Sequence, residues 1–492
     1  MYSKGIALGA LIVLAASFSG CKTGIFGGEP APAPVAPAPA APIVVDGTRT
    51  SYADVVERTS PAVVRIEAEH KNRISQRQTT PFGDDDFFRQ FPMPRQDQRP
   101  QIERGMGSGV IVSADGTILT NAHVVDEAEK ITVMLNDNKA FEAKLVGIDK
   151  PSDLAVLKIE AQNLPFLTLG NSDSVRVGDI VLAIGNPLGI GQSVTAGIIS
   201  AKGRRTGLSD GSFEDFLQTD APINRGNSGG ALVNLNGELI GINSQILSGG
   251  ASGGNIGIGF SIPSNMAKSV LDQLLKDGKV HRGMLGVNIQ TLTEDTAKAL
   301  DLTDVSGVLV SNVRSGSSAE KAGVKRGDII TAINGEKIDD GNVLRNKVAG
   351  TIPGTEIKLT VLRDGTSHEL TAVLDEFEIE KSDKSGNQQN DDGPSVEKQS
   401  GKLGLTLQSV TPQIARQLGL SSDGEGVVVT DVEPSGIGAD AGITRGDVLL
   451  EVNRAAVNSP EAVQAAIEKA GSKPLLLLIA RKGQTIYITV RQ

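Results

Sequence analysis

The chain has 492 residues, enough for three or four domains, and a net charge of −10, from 48 Lys and Arg against 58 Asp and Glu. An acidic chain lacks the basic face that a general nucleic-acid partner requires, so this class is disfavoured. A single cysteine, Cys21, excludes an internal disulfide and cysteine-based zinc or iron–sulfur sites, and no metal or other cofactor is expected.

The first 21 residues are typical of an export signal. Lys4 precedes an apolar run from Gly5 to Ser17, which is too short to span a bilayer, and small residues lead into Cys21. This pattern resembles a bacterial lipoprotein signal and favours lipidation of Cys21. The alternative is an ordinary signal peptide with an incidental cysteine, and both interpretations imply export. Residues 22–50 contain a Pro/Ala tract that favours extended polyproline II and is expected to act as a linker.

Residues 51–280 are predicted to form a β-rich domain, because short apolar runs alternate there with glycine-containing turns. A helix is expected over 52–58, and the clearest strands are predicted at 62–66, 109–112, 131–135, 155–159 and 180–184. Short strands at regular spacing are typical of a barrel or sandwich. The polar stretch 70–105, in which His70 is assigned to a surface loop, is expected to be functional or disordered.

The C-terminal region contains a repeat. The segment Gly307–Val313 recurs as Gly426–Val432, and Ala322–Asn334 recurs as Ala441–Asn453, in both cases 119 residues later. A period of this length indicates two similar domains rather than a solenoid. We therefore expect domains at 281–376 and 401–492, joined by a polar, flexible linker over 377–400.

Three separated segments carry the residues of a serine hydrolase. His123 follows Thr-Asn-Ala, Asp153 precedes an apolar run, and Ser228 lies in Gly-Asn-Ser-Gly-Gly. A serine nucleophile needs a base, histidine titrates near neutrality, and a carboxylate on its far ring nitrogen orients the imidazole. The order His, Asp, Ser, with separations of 30 and 75 residues, is that of the chymotrypsin class. Backbone N–H groups around the nucleophile, on Gly226, Asn227 and Ser228, are expected to face a developing oxyanion.

The motif around Ser228 also matches the Gly-x-Ser-x-Gly pattern of α/β-hydrolases. That pattern requires a helix directly after the serine and places the histidine last in the chain. Here residues 231–243 predict a β-hairpin with an Asn-Gly turn at Asn236–Gly237, and the histidine comes first. An α/β sheet is therefore disfavoured. Each of the three segments alone is weak, and their joint order and spacing carry the triad hypothesis.

These segments, together with Gly254–Pro263, resemble the HtrA family of serine proteases, in particular its DegP/DegQ (protease Do) type with two PDZ domains, over about residues 50–492. The resemblance implies a mostly β, chymotrypsin-like double β-barrel with His123, Asp153 and Ser228 as the catalytic triad. It implies ATP-independent cleavage of unfolded or mislocalised envelope proteins after small aliphatic residues. Residues 70–105 are similar to the family's regulatory LA loop, and loops near 186–192 and 247–255 are expected to rearrange. Candidate walls of the substrate pocket are Ile223, Ile256 and Ile258.

The resemblance also implies that the two repeats are PDZ domains, which bind free C-termini by adding them to a sheet edge. The expected carboxylate-binding residues are Arg282, Gly283, Met284, Leu285, Gly286 and Val287 in the first domain, and Leu403, Gly404 and Leu405 in the second. The alternative is that these glycines merely end strands, and that the second domain serves assembly. His281 is expected to be a linker residue.

The expected partners are unfolded polypeptides and their C-termini, within a homotrimer that can build larger cages. The N-terminus departs from the family type, which is soluble in the periplasm. Cys21 and the Pro/Ala linker indicate a membrane tether through lipid, and Lys22 favours the outer membrane. The alternative function is a chaperone or scaffold that holds unfolded clients with minor proteolysis.

Overall fold

The computed structural model describes residues 44–45, 48–71, 102–186, 191–206, 213–224, 226–248, 255–300, 302, 306–377, 402–417, 426–471, 473–481 and 483–491. The predicted signal with Cys21 lies outside these ranges. So do most of the linker 22–50, most of the polar insertion, the linker after Phe377, and the middles of the two loops expected to rearrange.

The first β-barrel follows a short ribbon and a helix, namely β1 (Val44–Val45), β2 (Thr48–Arg49) and α1 (Ala53–Thr59). Its six antiparallel strands are β3 (Val63–Lys71), β4 (Ile102–Ser113), β5 (Thr117–Thr120), β6 (Lys130–Met134), β7 (Ala140–Asp149) and β8 (Leu154–Ile159). They close in the order β3-β4-β5-β8-β7-β6. Between β5 and β6 lies α2 (Ala122–Val125), and a 3-10 turn over Lys150–Ser152 joins β7 to β8.

The second β-barrel also has six antiparallel strands: β9 (Ile180–Gly185), β10 (Ser193–Arg204), β11 (Phe216–Thr219), β12 (Ala231–Asn234), β13 (Leu239–Ser248) and β14 (Asn255–Pro263). They close in the order β10-β11-β14-β13-β12-β9. The predicted hairpin is β12–β13, where Gly237 (φ +80°) donates its N–H to the Asn234 carbonyl at 3.0 Å. The mostly β double barrel is thus confirmed, and Ser228 leads into a strand rather than a helix.

One prediction inside the first barrel is wrong. His70 lies in β3, opposite Glu103 of β4, rather than in a loop. The antiparallel ladder continues beyond the core because charged side chains pair across it, as Glu69 does with Arg104 at 3.2 Å. The polar insertion therefore starts and ends within strands.

A helix connects the barrels to the rest of the chain. In α3 (Ser264–Asp277), the apolar residues Ala267, Val270, Leu271 and Leu274 form one stripe that packs into the core shared by both barrels. The helix ends at Gly278, whose left-handed conformation (φ +70°) lets its N–H reach the Leu274 carbonyl at 3.1 Å. This packing sets where the first repeat domain begins.

The first repeat domain contains β15 (Gly283–Met284), β16 (Val287–Thr291), α4 (Glu294–Ala299), β17 (Val308–Val313), α5 (Ser318–Lys321), β18 (Ile329–Ile333), β19 (Glu336–Lys337), α6 (Gly341–Gly350), β20 (Glu356–Arg363), β21 (Thr366–Val373) and β22 (Asp375–Glu376). The main sheet has the order β16-β17-β18-β20-β21, with β19 beside β18, and β15 pairs with β22. Residues of α6 pack on the core face of this sheet.

The second repeat domain has the same topology. Its elements are β23 (Leu405–Ser409), α7 (Pro412–Gln417), β24 (Val427–Val432), α8 (Ile437–Asp440), β25 (Val448–Val452), β26 (Ala455–Ala456), α9 (Pro460–Ala470), β27 (Leu475–Arg481) and β28 (Gln484–Val490). The sheet order is β23-β24-β25-β27-β28, with β26 beside β25. None of the helices in the described ranges is long and apolar enough to cross a membrane.

Candidate active site

The loop that carries Ser228 is held by both barrels. The Ser228 carbonyl accepts the N–H of Ser108 on β4 at 2.8 Å, and Gly229 donates to the Asn243 carbonyl of β13 at 2.8 Å. Gly229 has φ +82°, and a Cβ there would overlap the Ser108 carbonyl oxygen, so the position requires glycine. The Ser-Gly pair in the motif therefore follows from backbone packing at the junction of the barrels.

His123 and Asp153 form a direct pair. The Nδ1 atom of His123 lies 2.9 Å from both carboxylate oxygens of Asp153, and the His123 N–H donates to Oδ1 at 3.0 Å. The start of α2 is fixed by the Asp153 carbonyl, which accepts the Nδ2 group of Asn121 at 2.9 Å and the N–H of Ala122 at 3.1 Å. Asp153 itself is left-handed (φ +54°), a conformation that aspartate tolerates better than most residues. The Asn-Ala-His motif thus serves to dock the base onto its carboxylate.

Ser244 joins the three predicted residues. Its hydroxyl donates to Oδ2 of Asp153 at 2.8 Å, while its carbonyl accepts the Ser228 hydroxyl at 3.0 Å. Sequence reasoning missed Ser244, because an Ile-Asn-Ser-Gln run in a strand carries no spacing signal. Sequence reasoning also missed Ser108, whose buried hydroxyl donates to the Gly226 carbonyl at 2.6 Å and accepts the Asn186 N–H at 2.8 Å.

The predicted oxyanion-hole and pocket residues differ from one another in their hydrogen bonds and in their burial. The N–H of Asn227 donates to the Asn224 carbonyl at 3.0 Å, so this group points into its own loop. Ile223 is buried beside Gly259 of β14, and its carbonyl accepts the Asn255 amide at 2.8 Å. Ile256, by contrast, is 54% exposed. The segments before the nucleophile and at the start of β14 are therefore adjacent, as a pocket between them requires.

Arg282 has a different partner from the predicted one. Its guanidinium makes two hydrogen bonds, at 2.7 and 2.5 Å, to the carboxylate of Asp149 at the end of β7, and both side chains are buried. The same carboxylate accepts the N–H of Ser152 at 3.2 Å and the Ser152 hydroxyl. The first repeat domain thus reaches the turn that immediately precedes Asp153.

A second contact between these domains lies alongside. The ring of Phe213 stacks 4.7 Å below the Arg282 guanidinium and meets Phe377 edge-on at 5.7 Å, while the Phe213 N–H donates to the Pro151 carbonyl at 2.8 Å. The adjacent carbonyl, of Glu214, accepts the side-chain amides of Asn342 and Asn346 on α6 at 3.0 and 2.8 Å. Sequence patterns gave no signal for either contact.

The two predicted carboxylate loops have matching geometry. Gly286 (φ +79°) accepts the Arg314 N–H at 2.9 Å, and the Leu285 carbonyl accepts that of Ala319 at 2.9 Å. In the second domain, the carbonyl of Gly404 (φ +69°) accepts the Glu433 N–H at 2.8 Å, and the Leu403 carbonyl accepts the Gly438 N–H at 2.9 Å, as the Leu285 carbonyl accepts that of Ala319.

No cluster of three or more potential metal ligands is found in the part of the chain that the structure describes.

These features define a class: a trypsin-like serine protease followed by two PDZ domains. The family of trypsin-like peptidase domains matches residues 107–242, and PDZ domain families match residues 283–374 and 428–481. We call the two repeat domains PDZ1 and PDZ2 from here on.

Similarity to known proteins identifies the family within this class. A probable periplasmic serine endoprotease, DegP-like, of Chlamydia trachomatis is 42% identical over 89% of this chain and 88% of its own length. A probable periplasmic serine protease do/HhoA-like of Haemophilus influenzae is 41% identical over 90% of this chain and 92% of its own. The solved HtrA-type protease AlgW with decapeptide is 45% identical, covers 67% of this chain and 100% of its own, and has a TM-score of 0.53. The chain belongs to the DegP-like, HtrA-type family of periplasmic serine endoproteases.

Proposed function

We propose that the chain cleaves unfolded or mislocalised polypeptides of the bacterial envelope by acyl-enzyme chemistry, without ATP. The observation that carries this proposal is the His123–Asp153 pair, bonded through Ser244 to the nucleophile loop at the junction of the two barrels. The side chain of His123 is half exposed, so an extended substrate can reach its free Nε2 edge. Such an activity serves protein quality control under stress.

In the proposed mechanism, Nε2 of His123 takes the Ser228 proton as Oγ attacks the scissile carbonyl. Asp153 holds the ring through Nδ1 and stabilises the imidazolium that forms, and Ser244 steadies that carboxylate. The Ser228 hydroxyl must first leave the Ser244 carbonyl by rotation about its Cα–Cβ bond. We assign the oxyanion donors to the N–H groups of Gly226 and Ser228. The His123 imidazolium then donates this proton to the nitrogen of the leaving amine, and the peptide C–N bond breaks to give the acyl-enzyme. Water hydrolyses the acyl-enzyme, with His123 again taking a proton as the base and returning it to Ser228 Oγ.

The test is Ser228→Ala, which is expected to lower peptide hydrolysis by at least three orders of magnitude while the fold persists. Casein turnover is measured for this variant and for a control, Ser269→Ala, which changes an exposed serine of α3 remote from the site. The control is expected to keep wild-type activity. Chelators are expected to have no effect. If Ser228→Ala retains turnover, the triad assignment is wrong; if both proteins chiefly suppress client aggregation, the chaperone alternative holds.

PDZ1 is proposed to bind free, apolar C-termini through Arg282–Val287 and so to favour the active arrangement of the protease. The contacts of Arg282 and Phe213 with the turn before Asp153 support a link between peptide binding and catalysis. A ligand shifts this equilibrium only if it binds the active state better. Hydrolysis of a small reporter is expected to rise when such a peptide is added. Equal rates with and without the peptide would mean that PDZ1 does not regulate.

We further propose a homotrimer that can build larger cages. Ile180, Val194 and Ile198 on β9 and β10 are each more than a third exposed, and contiguous apolar residues on an outer barrel face suit an association surface. Ile198→Glu is expected to shift the mass measured by light scattering from trimer to monomer. An unchanged mass would place the trimer contact elsewhere.

Localisation in the periplasm with a lipid on Cys21 is also a proposal. Two or more acyl chains hold a protein stably at a bilayer, and the Pro/Ala linker would lift the protease off the membrane, with the outer membrane favoured. Fractionation is expected to find the wild type in membranes. A soluble mature chain whose N-terminus is not Cys21 would show that the protein is periplasmic without an anchor.

A further inference from the structure

A cavity of about 500 Å³ at the edge of PDZ1 is enclosed partly by PDZ2. Its lining includes β16 and α6 of PDZ1, which form the peptide groove, and Phe213 of the protease domain. It also includes Gln484, Thr485 and Ile486 at the start of β28 in PDZ2. The groove of PDZ1 thus has one wall that PDZ1 does not supply.

This wall is fixed in place. The side-chain amide of Gln290 on β16 donates to the Tyr487 carbonyl at 3.1 Å and accepts the Tyr487 N–H at 2.6 Å. Beside it, apolar residues of both domains form one buried cluster, comprising Leu292, Leu309 and Ile329 of PDZ1 with Leu476, Leu478 and Tyr487 of PDZ2. Thr296 and Thr489 add a hydrogen bond at 3.1 Å. Because the two domains share this cluster, the wall is present before any peptide binds.

The alternation of side chains shows which residue of the wall faces the groove. Along β16, Val287 and Ile289 pack against the PDZ1 core, so Gln290 lies on the opposite face of the strand. Along β28, Tyr487 faces PDZ1, so Thr485, two residues earlier, has the same orientation. Ile486 instead packs into the core of PDZ2. Thr485 is therefore the side chain that faces the outer side of β16.

A bound C-terminus would meet this side chain at a definite position. When a peptide adds antiparallel to β16 with its carboxylate at Gly286, its last residue lies opposite Val287 and its fourth from last lies opposite Gln290. The last and third-from-last side chains then point into the groove, and the second and fourth point outward. The fourth residue, about 10 Å from the carboxylate end, is the one that reaches β28.

We propose that PDZ2 reads the fourth residue from the C-terminus of a polypeptide bound in PDZ1, through Thr485. The Thr485 hydroxyl is polar and uncharged, so it favours a side chain that both donates and accepts hydrogen bonds, such as glutamine, over an aliphatic one. PDZ2 is then a specificity element of the PDZ1 site. The inference rests on the proposed binding of C-termini by PDZ1.

The experiment uses the full chain with Ser228→Ala, so that no peptide is cleaved. Three fluorescent peptides share an apolar last residue: a tripeptide, and two hexapeptides with Gln or Leu at the fourth position from the end. Anisotropy titrations are expected to show the Gln peptide binding about five-fold more tightly than the Leu peptide, the effect of one net hydrogen bond. Thr485→Val, which keeps the shape of the side chain, is expected to reduce this ratio below two-fold without changing tripeptide affinity.

Thr489→Val is the matched control, because Thr489 lies on the same strand and the same face but outside the cavity lining. It is expected to keep the five-fold ratio. Equal affinities for the two hexapeptides in the parent chain, or an unchanged ratio in Thr485→Val, would overturn the proposal. If Thr489→Val also loses the five-fold ratio, the ratio depends on the packing of the two domains rather than on Thr485, and the proposal is overturned. A tripeptide that fails to bind at all would instead refute peptide binding by PDZ1 itself.

Discussion

PDZ1 and PDZ2 share a fold and many of the same internal contacts, yet they have different neighbours. In PDZ1, Arg363 holds Asp328 with hydrogen bonds of 2.7 Å and donates to the Gly323 carbonyl. In PDZ2, Arg481 does the same for Asp447 and Gly442. These contacts stabilise each domain by itself, and their repetition explains why the two sequences resemble one another.

The differences lie where PDZ1 meets the protease domain. There, Arg282 of PDZ1 binds the buried carboxylate of Asp149 in the protease domain. The helix cap Asp340 of α6 aligns with Ser459, the cap of α9, so a charge at the domain boundary is replaced by a neutral hydroxyl. The comparison teaches that a repeated fold gains contacts with a neighbouring domain through a few boundary residues, while its core stays the same.

The sharpest test of this comparison is Arg282→Ala. The change leaves the Asp149 carboxylate buried without its cation, and breaking one side of a buried ion pair costs about 3 kcal/mol or more. We expect urea denaturation to show this loss in the free energy of unfolding. Lys402→Ala, in the corresponding loop of PDZ2, changes an exposed side chain and is expected to have an effect under about 0.5 kcal/mol. Equal effects would show that the protease contact of PDZ1 is not special.

The next largest predicted effect is on peptide affinity, and it concerns the two carboxylate-binding loops. Gly286 is left-handed, and a Cβ there would overlap the Ser317 side chain, so Gly286→Ala is expected to distort the loop. We predict that the affinity of the Ser228→Ala chain for the tripeptide falls about ten-fold, since strain of this kind costs roughly 1–3 kcal/mol. Gly404→Ala strains the PDZ2 loop in the same way and is expected to change tripeptide affinity less than two-fold. A comparable loss in both variants would mean that PDZ2 also binds the tripeptide.

The smallest predicted effect is on the Tm, and it concerns the charge of Asp215 at the boundary between the protease domain and PDZ1. Burial, and then the negative charges of Asp173 and Asp340, raise the pKa of Asp215 to about 6 against the opposing charges of Lys202 and Lys347. Below the unfolded pKa of about 4 the carboxyl is protonated in both states and carries no penalty; above pH 6 it is charged, and the folded state is destabilised. Asp215→Asn is therefore expected to raise the Tm by a few degrees at pH 7.5 and to leave it unchanged at pH 4.

Asp340→Ser, which transplants the PDZ2 cap into PDZ1, is the matched variant for this effect. It removes one of the acidic neighbours of Asp215 and is expected to reproduce part of the gain at pH 7.5, since serine still caps the helix. A gain of the same size at pH 4 and pH 7.5 in Asp215→Asn would rule out the titration of this carboxyl as the cause.

Local sequence determined the elements and the order of the chemical groups. Short apolar runs separated by glycine-containing turns predicted the strands of the barrels, because such a run between turn signals indicates a buried strand without knowledge of its partners. The spacing of His123, Asp153 and Ser228 predicted which chemistry the chain carries, since those side chains have few other uses in that order. The 119-residue repeat predicted two like domains for a similar reason: each folds around its own core.

The tertiary structure alone decided the contacts between distant segments. Ser244 lies 91 residues from the Asp153 carboxylate it bonds, and Arg282 lies 133 residues from Asp149. The same holds for Gln290 and Tyr487, which are 197 residues apart. Such pairs involve ordinary serine, arginine and glutamine side chains with no periodic pattern, and their meeting depends on how whole barrels and PDZ domains pack. His70 was misplaced for the same reason, because only its partner strand shows that the ladder continues to Lys71.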